Sequence, residues 1–495
     1  MAQLSPDAQR TSTSYYRPKN NKPMQRKETL YLKIAKIIEE QIQNETLLLG
    51  DKLPSIRSVQ KLHNVSINTA KQAYLELESR SLIESRPKTG YYVSKTSQRK
   101  LALPSVTAIA DAGKGKTPED LISKVYDTIA KPDVTQFALG LPGRNFLPLA
   151  KLNKGVIKAI RSRSDSGTDL EPVQGSEHLR REIAKWSLVL EGKVTEDDLV
   201  ITSGAMNAIY HALMAVTKPG DSVAIESPAY FGILQAIKLL GLKAVELPTH
   251  PVYGIDLDAL KKVLPAISAC CFVTNFNNPM GFQMPDENKK ELVRLITAYN
   301  VPLIEDDIYG NLYFGAERPK PCKFYDEAGL VLWAGSVSKT LAPGYRVGWI
   351  APGQFKDKII RQKLVQTVCN PSLYSDVIAD FLEHGRYDHH LRMFRNKLYA
   401  NYLQFQRAVE TYFPDNTKIS QPKGGFMLWL ELDKRICTED LYDAAGAMNI
   451  NFAPGRMFSQ HNQYNNCMRL NYAMEWNDRA EEGLQKLGKL VKNSI

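Results

Sequence analysis

The stretch "SVSKTLAPGYRVGWI" (residues 336–350) decides how most of this chain is interpreted. Its lysine, Lys339, follows an apolar run that contains Leu332 and Trp333, and it precedes a turn-forming Ala-Pro-Gly. Lysine ordinarily occupies solvated surfaces. A lysine at the end of a strand with a buried pattern is therefore either one more surface charge or a reactive amine. The residues at the other strand ends distinguish the two.

The segments around this lysine predict an α/β domain. Beyond residue 130, apolar strand-like runs alternate with helical stretches, and the runs are "DDLVITSG", "DSVAIESP", "ISACCFVTNF", "VPLIEDDIYG" and "GLVLWAGSVSK". This alternation predicts a largely parallel sheet. In such sheets the ligand site forms at the carboxyl ends of the strands and in the loops that follow them.

Unusual residues stand at those strand ends. Small residues at 203–205 precede a helix, so that backbone amides there can hold an anion such as a phosphate. Tyr230 follows a strand end and can stack on a flat ring, and Asn278 is aimed by a rigid Asn-Pro turn. Asp306 is one of two adjacent acids that need a cationic partner if buried. Tyr309, three residues later, can approach the same ligand.

These residue types share one chemistry, a Schiff base with pyridoxal 5′-phosphate. The lysine must lose its proton to attack the aldehyde, which desolvation and nearby cations favour. The acid keeps the pyridine nitrogen protonated, while the amide and the tyrosine polarise the phenolic oxygen. The six cysteines show no metal-ligand spacing with histidine, so no metal site is expected.

Residues 130–495 resemble the fold-type I pyridoxal-phosphate enzymes of the aspartate aminotransferase class. "SVSKTLAPGYRVGWI" matches that family's S-x-S-K-x-x-x-P-G-x-R-x-G-W block, and "CMRLNYA" resembles its R-L-x-[FY]-A segment. The resemblance implies that Lys339 forms the Schiff base, Asp306 pairs with the pyridine nitrogen, and Arg469 pairs with a carboxylate of the substrate or effector. It also implies Asn278 and Tyr309 on the phenolic oxygen, Tyr230 on the ring, Ser203, Gly204, Ala205, Ser336, Ser338 and Arg346 on the phosphate, and Gly140 in the substrate-side loop.

One position departs from the family pattern. In "GTDLEPVQGSEHLR" the family usually has a tyrosine five residues before the glycine, where it reaches the phosphate across a dimer. Here that residue is Leu170. The missing hydroxyl leaves open whether transamination turns over.

The charge is uneven along the chain. Residues 1–100 hold 18 Lys and Arg against 9 Asp and Glu, for a net +9, whereas the remainder has a net +2. A basic N-terminal fifth on a nearly neutral body indicates an appended nucleic-acid-binding module.

The pattern of residues 30–94 predicts a winged helix-turn-helix. Pro54 and Ser55 open a short second helix, Ser66 can cap a third, and "LIESRPKTGYYVS" predicts two short strands joined by a turn. The apolar positions expected for the three helices are Leu30, Ile34, Ile37, Ile38 and Ile42; Ile56, Val59 and Leu62; and Ile67, Ala70, Ala73 or Tyr74, and Leu77.

"LPSIRSVQKLHNVSINTAKQAYLEL" resembles the GntR-type pattern LPSxRxLAxxLxVSRxTVxxAYxxL. The resemblance implies that four residues of the helical part face DNA, with a fifth in the wing; they are Arg57, Ser66, Asn68, Lys71 and Lys88. Where that family often has an arginine after the turn serine, this chain has Ile67, which leaves the sequence preference open.

Both resemblances together are the layout of the MocR family of bacterial transcription regulators. The predicted divisions are a flexible tail at 1–25, a winged helix-turn-helix domain at 26–96, a linker at 97–125, and an aminotransferase-like domain at 126–495. Residues 376–495 are expected to form mostly a smaller lobe.

The resemblance implies a homodimer that binds double-stranded DNA at an operator with two half-sites. It also implies that the protein senses a small amine, an amino acid or the cofactor itself through the Lys339 aldimine. The alternative is a metabolic aminotransferase with a basic N-terminal extension. A polar N-terminus, the absence of long apolar runs and the cysteine usage predict a cytoplasmic protein without a membrane partner.

Overall fold

The computed structural model describes residues 29–44, 46–80, 82–86, 89–94, 101–106, 118–128, 131, 133–187 and 190–495. The tail predicted at 1–25 lies outside these residues. Among the described segments, no helix is both long enough and apolar enough to cross a membrane.

Three helices and a two-stranded wing form the N-terminal domain, as predicted. Their bounds are α1 Leu30–Gln43, α2 Ile56–Leu62, α3 Ile67–Ser79, β1 Ile83–Arg86 and β2 Gly90–Val93. Ser55 Oγ accepts a hydrogen bond from Ser58 N at 3.1 Å, and Ser66 Oγ accepts one from Thr69 N at 3.0 Å. Each serine therefore caps a helix N-terminus, as the turn chemistry predicts. The two strands pair antiparallel.

The core of this domain corrects four expectations. The buried residues are Ile34, Ala35, Ile38, Leu53, Val59, Ala70, Ala73, Tyr74, Leu77, Ile83 and Val93. Four residues were expected on the apolar faces but are 61%, 42%, 77% and 47% exposed; they are Leu30, Ile37, Leu62 and Ile67. Ile37 is turned about 100° from Ile38 on the helix, and the other three stand at helix ends.

The segment predicted as a linker contains ordered structure in its described part. Ile419 N donates to Ala102 O at 2.9 Å, and Ser105 Oγ donates to Glu431 Oε1 at 3.1 Å, so residues 101–106 lie along the smaller lobe. Helix α4, Pro118–Tyr126, buries Leu121, Ile122 and Val125. The exact domain boundaries stay a prediction.

The large lobe is an α/β domain, as the alternating pattern predicts. Strand β3 Thr135–Gln136 precedes its strands in the chain and pairs with residues 450–451 of the smaller lobe. The strands of the large lobe are β4 Val200–Thr202, β5 Ser222–Ser227, β6 Lys243–His250, β7 Gly254–Ile255, β8 Ala269–Phe272, β9 Leu303–Asp306, β10 Val331–Ser336 and β11 Gly348–Ala351. Its helices are α5 Leu149–Ser162, α6 Glu177–Trp186, α7 Ala205–Val216, α8 Phe231–Leu239, α9 Leu257–Val263, α10 Asp286–Tyr299, α11 Lys356–Gln366 and α12 Ser372–Glu383.

Eight strands form one sheet in the order β4-β11-β10-β9-β8-β5-β6-β7. Neighbours from β10 to β6 are parallel, and β11 is antiparallel to both β10 and β4. The strands read as continuous apolar runs because helices cover both faces of such a sheet.

The smaller lobe follows in sequence. It comprises helices α13 Arg386–Tyr412, α14 Thr438–Gly446 and α15 Asp478–Asn493, and strands β12 Lys418–Ile419, β13 Met427–Glu431, β14 Ile450–Asn451, β15 Ala453–Pro454 and β16 Cys467–Asn471. Four of these strands form an antiparallel sheet in the order β12-β13-β16-β15. Arg469 lies in β16, between Trp429 on one neighbouring strand and Ala453 on the other.

Strand register brings the polar strand ends together. Asp306, at the end of β9, is paired with Ala334 on β10, so it lies near the turn that carries Lys339. Thr202, at the end of β4, is paired with Gly348 at the start of β11. The turn at residues 203–205 directly follows Thr202. It therefore lies beside the segment that connects Lys339 to β11.

Candidate functional site

Lys339 is a part-buried amine in the turn after β10. Its Nζ donates to Gly140 O at 2.6 Å. Burial, reinforced by the Arg469 guanidinium, lowers the pKa of Lys339 to about 8, although the nearby Asp306 carboxylate opposes the shift. A larger fraction of this amine is therefore neutral near physiological pH than for an ordinary lysine. Lys339 is therefore not an ordinary surface charge, and its role as the reactive amine stays a prediction.

The two adjacent acids after β9 have different surroundings. Asp307 accepts from Arg318 Nη2 at 2.5 Å and from Trp333 Nε1 at 3.0 Å, so it has the cationic partner that burial requires. Asp306 accepts only the Ile308 backbone N–H, at 3.2 Å, among the bonds seen in the described chain. Burial raises the pKa of Asp306 to about 7. Asp306 is thus the acid that is left available for a ligand.

Arg469 and Tyr309 present unpaired polar atoms in the same region. Arg469 is 2% exposed; its Nη1 donates to Asn278 Oδ1 at 2.8 Å and its Nη2 donates to Ala138 O. Within the described residues, Arg469 Nε and the Tyr309 hydroxyl are buried without a hydrogen-bond partner. Burial raises the pKa of Tyr309, so it remains a neutral donor. Buried groups left unpaired are costly, which is the situation expected of groups that await a ligand.

An anion cradle surrounds the N-terminus of α7. Arg346 donates from Nη2 to Ser203 O at 3.0 Å and from Nη1 to Ser338 Oγ at 3.3 Å. Gly204 has φ +90°, and a Cβ there would collide with Arg346 Nη2. Ala205 is the first residue of α7. A guanidinium, hydroxyls and a helix N-terminus together suit a phosphate.

Ser336 lies next to this anion cradle and holds Ser338 in position. Its hydroxyl donates to Val347 O at 2.7 Å and lies 2.8 Å from Ser338 Oγ. The Ser338 backbone N–H also donates to Ser336 Oγ at 3.0 Å. Ser336 therefore fixes the orientation of Ser338. A direct contact between Ser336 and the phosphate stays a prediction.

The remaining predicted residues lie around this group. Tyr230 is the N-cap of α8 and is part-buried. A Cβ on Gly140 would lie 3.8 Å from Lys339 Nζ and 4.0 Å from the Tyr309 hydroxyl, so this glycine borders the reactive amine. Leu170 is 76% exposed. In the described part of this chain, nothing takes the place of the tyrosine hydroxyl that the resemblance leads one to expect there.

Two residues near the site escaped the sequence prediction. Asn370 Nδ2 donates to Ser203 Oγ at 3.1 Å; the available signal was a second Asn-Pro pair before a helix. Glu226 Oε1 accepts from Asn277 Nδ2 at 2.8 Å, which braces the turn that carries Asn278. Burial raises the pKa of Glu226 to about 7. Its signal was an acid at the end of an apolar strand.

The predicted DNA-contacting residues occupy the outer part of the helix-turn-helix. Arg57, Ser66 and Asn68 are exposed, and Lys71 is part-buried. Lys88, predicted in the wing, lies outside the described residues. Ser66 caps α3, so its hydroxyl is already engaged by Thr69 N.

Comparison with known proteins accounts for both domains. The family described as "Aminotransferase class I and II" matches residues 144–487, and "Bacterial regulatory proteins, gntR family" matches residues 30–93. The HTH-type transcriptional regulators YdcR and YjiR of Escherichia coli (strain K12) are 36% and 34% identical to the chain. They match 94% of it in each case, and the match covers 99% and 100% of their own lengths. The chain belongs to the MocR family.

The structural comparison identifies the fold of the larger domain. The solved structure of LysN, the alpha-aminoadipate aminotransferase of Thermus thermophilus, has 27% sequence identity and a TM-score of 0.70, covering 76% of this chain and 95% of that one. That structure is complexed with N-(5′-phosphopyridoxyl)-L-leucine. The expected fold-type I aminotransferase fold is confirmed.

The site of this MocR chain fits the cofactor expected on that fold, pyridoxal 5′-phosphate. Gly204 opens a helix N-terminus beside a guanidinium, where a side chain would collide. The Tyr309 hydroxyl is buried with no partner in the described chain, and Asp306 is a buried acid without a hydrogen-bonded cation. Each feature corresponds to one part of the cofactor: the phosphate, the phenolic oxygen and the pyridine nitrogen.

Proposed function

We propose that this protein is a transcriptional regulator that binds DNA through its N-terminal domain and senses a small amine or amino acid at Lys339, with pyridoxal 5′-phosphate as cofactor. The observation that carries the proposal is the state of Lys339. Its amine has a pKa of about 8 and lies near a buried acid and an unpaired tyrosine hydroxyl, in a chain that begins with a GntR-type domain.

When bound, the cofactor supplies an aldehyde that condenses with amines and a ring that accepts electrons. The chain's own residues hold and tune it. Ser203, Ser338 and Arg346 bind the phosphate, and Tyr230 covers the ring. The Asp306 carboxylate, which has no hydrogen-bonded cation in the described structure, would pair with a protonated pyridine nitrogen.

Arg469 gives the effector its chemical class. A guanidinium pairs with a carboxylate through two donors, and this one is buried with its Nε unpaired in the described structure. An amine that also carries a carboxylate is therefore the best-supported effector. Arg469 does not distinguish an α-amino from an ω-amino group. Lys339 would hold the cofactor, and Arg469 would orient the carboxylate of such an amine beside it.

We also propose that the regulator works as a homodimer on an operator with two half-sites. Apolar side chains exposed on the large lobe support a contact surface; they are Leu149, Ile157 and Ile160 on α5, and Leu364 and Val365 on α11. Exposed apolar clusters commonly mark contact surfaces. A partner's side chain could then supply the phosphate contact that Leu170 lacks.

A metabolic aminotransferase is the second candidate. The presence of Lys339, Asp306 and Arg469 in one site favours it, because those residues suffice for binding an amino acid on the cofactor. The similarity to LysN points in the same direction. Against it stands the GntR-type domain, which amine transfer does not require.

Multiple-turnover transamination distinguishes the two. Purified protein with pyridoxal phosphate is mixed with a panel of amino acids and ω-amines, each with a 2-oxo acid, and both cofactor spectrum and product are followed. Lys339→Ala serves as the control for lysine-dependent change. A spectral response to one amine with little turnover supports the sensor; sustained turnover at ordinary enzymatic rates supports the metabolic enzyme. A change in DNA binding with pyridoxal phosphate alone, and none with amines, would make the cofactor the effector.

A further inference from the structure

We infer that the surface of α13 is a docking site for the chain's own DNA-recognition helix, α3, and that the docked arrangement excludes duplex DNA. DNA binding then requires α3 to leave α13. The part of this inference that concerns the effector rests on the proposed function.

Helix α3 contacts both domains. One face packs into the core of the N-terminal domain through Ala70, Ala73, Tyr74 and Leu77. The opposite face carries Asn68, Gln72 and Leu75, which are spaced i, i+4 and i+7 and so form one stripe. Leu75 is 1% exposed and belongs to the core of the aminotransferase domain. This stripe points away from the core of the N-terminal domain, as a surface that enters the major groove of DNA must. In this structure it points toward the aminotransferase domain.

Helix α13 lies along this stripe. Near the N-terminus of α3, Asn68 and Gln72 line a cleft of about 700 Å³ together with Arg392, Arg395 and Asn396 of α13. Asn68 is among the residues predicted to contact DNA. Its side chain thus shares a cleft with the arginines of the aminotransferase domain.

The contact continues to the other end of α3 and into the wing. Tyr399 of α13 lies beside Ser79. Arg407 Nη2 pairs with Glu84 Oε2 on β1 at 3.0 Å, and both side chains are largely covered. Burial raises the pKa of the neighbouring Glu78, and the positive charge of Arg407 opposes that shift. Arg407 therefore brings a positive charge of the larger domain to two acids of the N-terminal domain, and Glu84 pairs in addition with Arg86 Nε of its own domain at 2.7 Å.

The width of DNA's major groove makes docking and DNA binding exclusive. The groove is about 12 Å wide and admits a single helix, whose diameter with side chains is about 10–12 Å. Two packed helices have axes roughly 8–10 Å apart, so the α3–α13 pair is too wide to enter. The recognition helix can reach base edges only after it separates from α13.

A short segment connects the dock with the cofactor site. It runs from Tyr309, whose hydroxyl is in the site, to Tyr313 and Phe314. The Arg395 guanidinium lies 4.1 Å from the centre of the Tyr313 ring, and the Phe314 ring centre lies 5.0 Å from that of Tyr399. A shift of Tyr309 when an amine binds can therefore reach α13 within five residues. Contiguous packing of this kind is a physical route for coupling.

Arg407→Glu in the full chain tests the inference. The change breaks the ion pair with Glu84 and adds repulsion, while Arg407 lies outside the DNA-binding domain. Affinity is measured by fluorescence anisotropy for a labelled mixed-sequence duplex at low ionic strength. Lys489→Glu, on the exposed face of α15, makes the same change in net charge away from the dock. Thermal unfolding verifies the fold, and Arg407→Ala replaces the first variant if that one unfolds.

We expect Arg407→Glu to bind DNA about fivefold or more tighter than wild type, although its added negative charge alone would weaken binding. Lys489→Glu should bind equally or more weakly. An affinity of Arg407→Glu at or below that of Lys489→Glu overturns the docking inference. Cofactor spectra with amines are recorded on the same proteins. If the cofactor spectrum of the wild type does not respond to any amine, the proposed function is contradicted. The docking inference is decided by the DNA affinities alone.

Discussion

Capture of pyridoxal phosphate by the cofactor-free protein should accelerate as the pH rises and level off above a midpoint near pH 8. The reacting species is the neutral amine of Lys339, whose pKa burial and Arg469 lower from 10.5 to about 8. At pH 7.5 about a quarter of such an amine is neutral, against roughly 0.1% for an ordinary lysine. The site therefore increases the reactive fraction roughly 200-fold at that pH.

A substitution isolates one cause of this shift. Burial is the largest cause and the Arg469 guanidinium is the second, so Arg469→Met should move the midpoint upward but not as far as 10.5. Arg435→Met is the matched control, because Arg435 is an exposed arginine paired with Asp433 and does not act on Lys339. Its midpoint should equal that of the wild type.

Stopped-flow absorbance of the cofactor measures these rates over a pH series without any amine substrate. A rate that continues to rise through pH 10 would contradict the lowered pKa. An Arg469→Met midpoint equal to that of the wild type would refute the electrostatic contribution assigned to Arg469.

Three further outcomes are expected. Lys339→Ala should abolish the absorbance of the lysine-bound cofactor while leaving the melting temperature and basal DNA affinity nearly unchanged; a large loss of DNA affinity would contradict this. Replacing Arg57 and Lys71 with alanine should weaken DNA binding and reduce the slope of log affinity against log salt by about 1.8, from two lost phosphate contacts; an unchanged slope would remove both from the interface. Gly204→Ala should weaken cofactor binding at least about tenfold, because φ +90° is strained for alanine by roughly 1–3 kcal/mol and the added Cβ meets Arg346; titration of the cofactor-free protein checks this.

Local patterns were enough to predict the helices and wing of the N-terminal domain and the main strands around Lys339. Ser55 and Ser66 cap helices because their side chains and backbone amides are close in sequence. The apolar run before Lys339 is a strand, as expected. Ile67 was expected to be buried, but it is exposed. Its burial depends on whether another element covers the first turn of α3, and helical periodicity carries no information on that.

The roles of individual acids and amides needed the tertiary structure. Asp306 and Asp307 are adjacent in the sequence, and nothing there shows which of them has a cationic partner. In the structure Arg318 pairs with Asp307, and Asp306 has no hydrogen-bonded cation among the described residues. Asn370 lies far along the chain from Ser203, to which it donates. Such contacts arise from the meeting of strand ends and loops, and no spacing in the sequence records them.

The sequence by itself determined that a GntR-type domain precedes an aminotransferase domain, and it predicted Lys339 as the reactive lysine, because both depend on residue types at short and fixed spacings. Only the tertiary structure gave Lys339 its lowered pKa, since burial and the approach of Arg469 are properties of the packed molecule. The placement of α3 against α13 is likewise tertiary, because it depends on Leu75, Tyr399 and Arg407 meeting across more than 300 residues of chain.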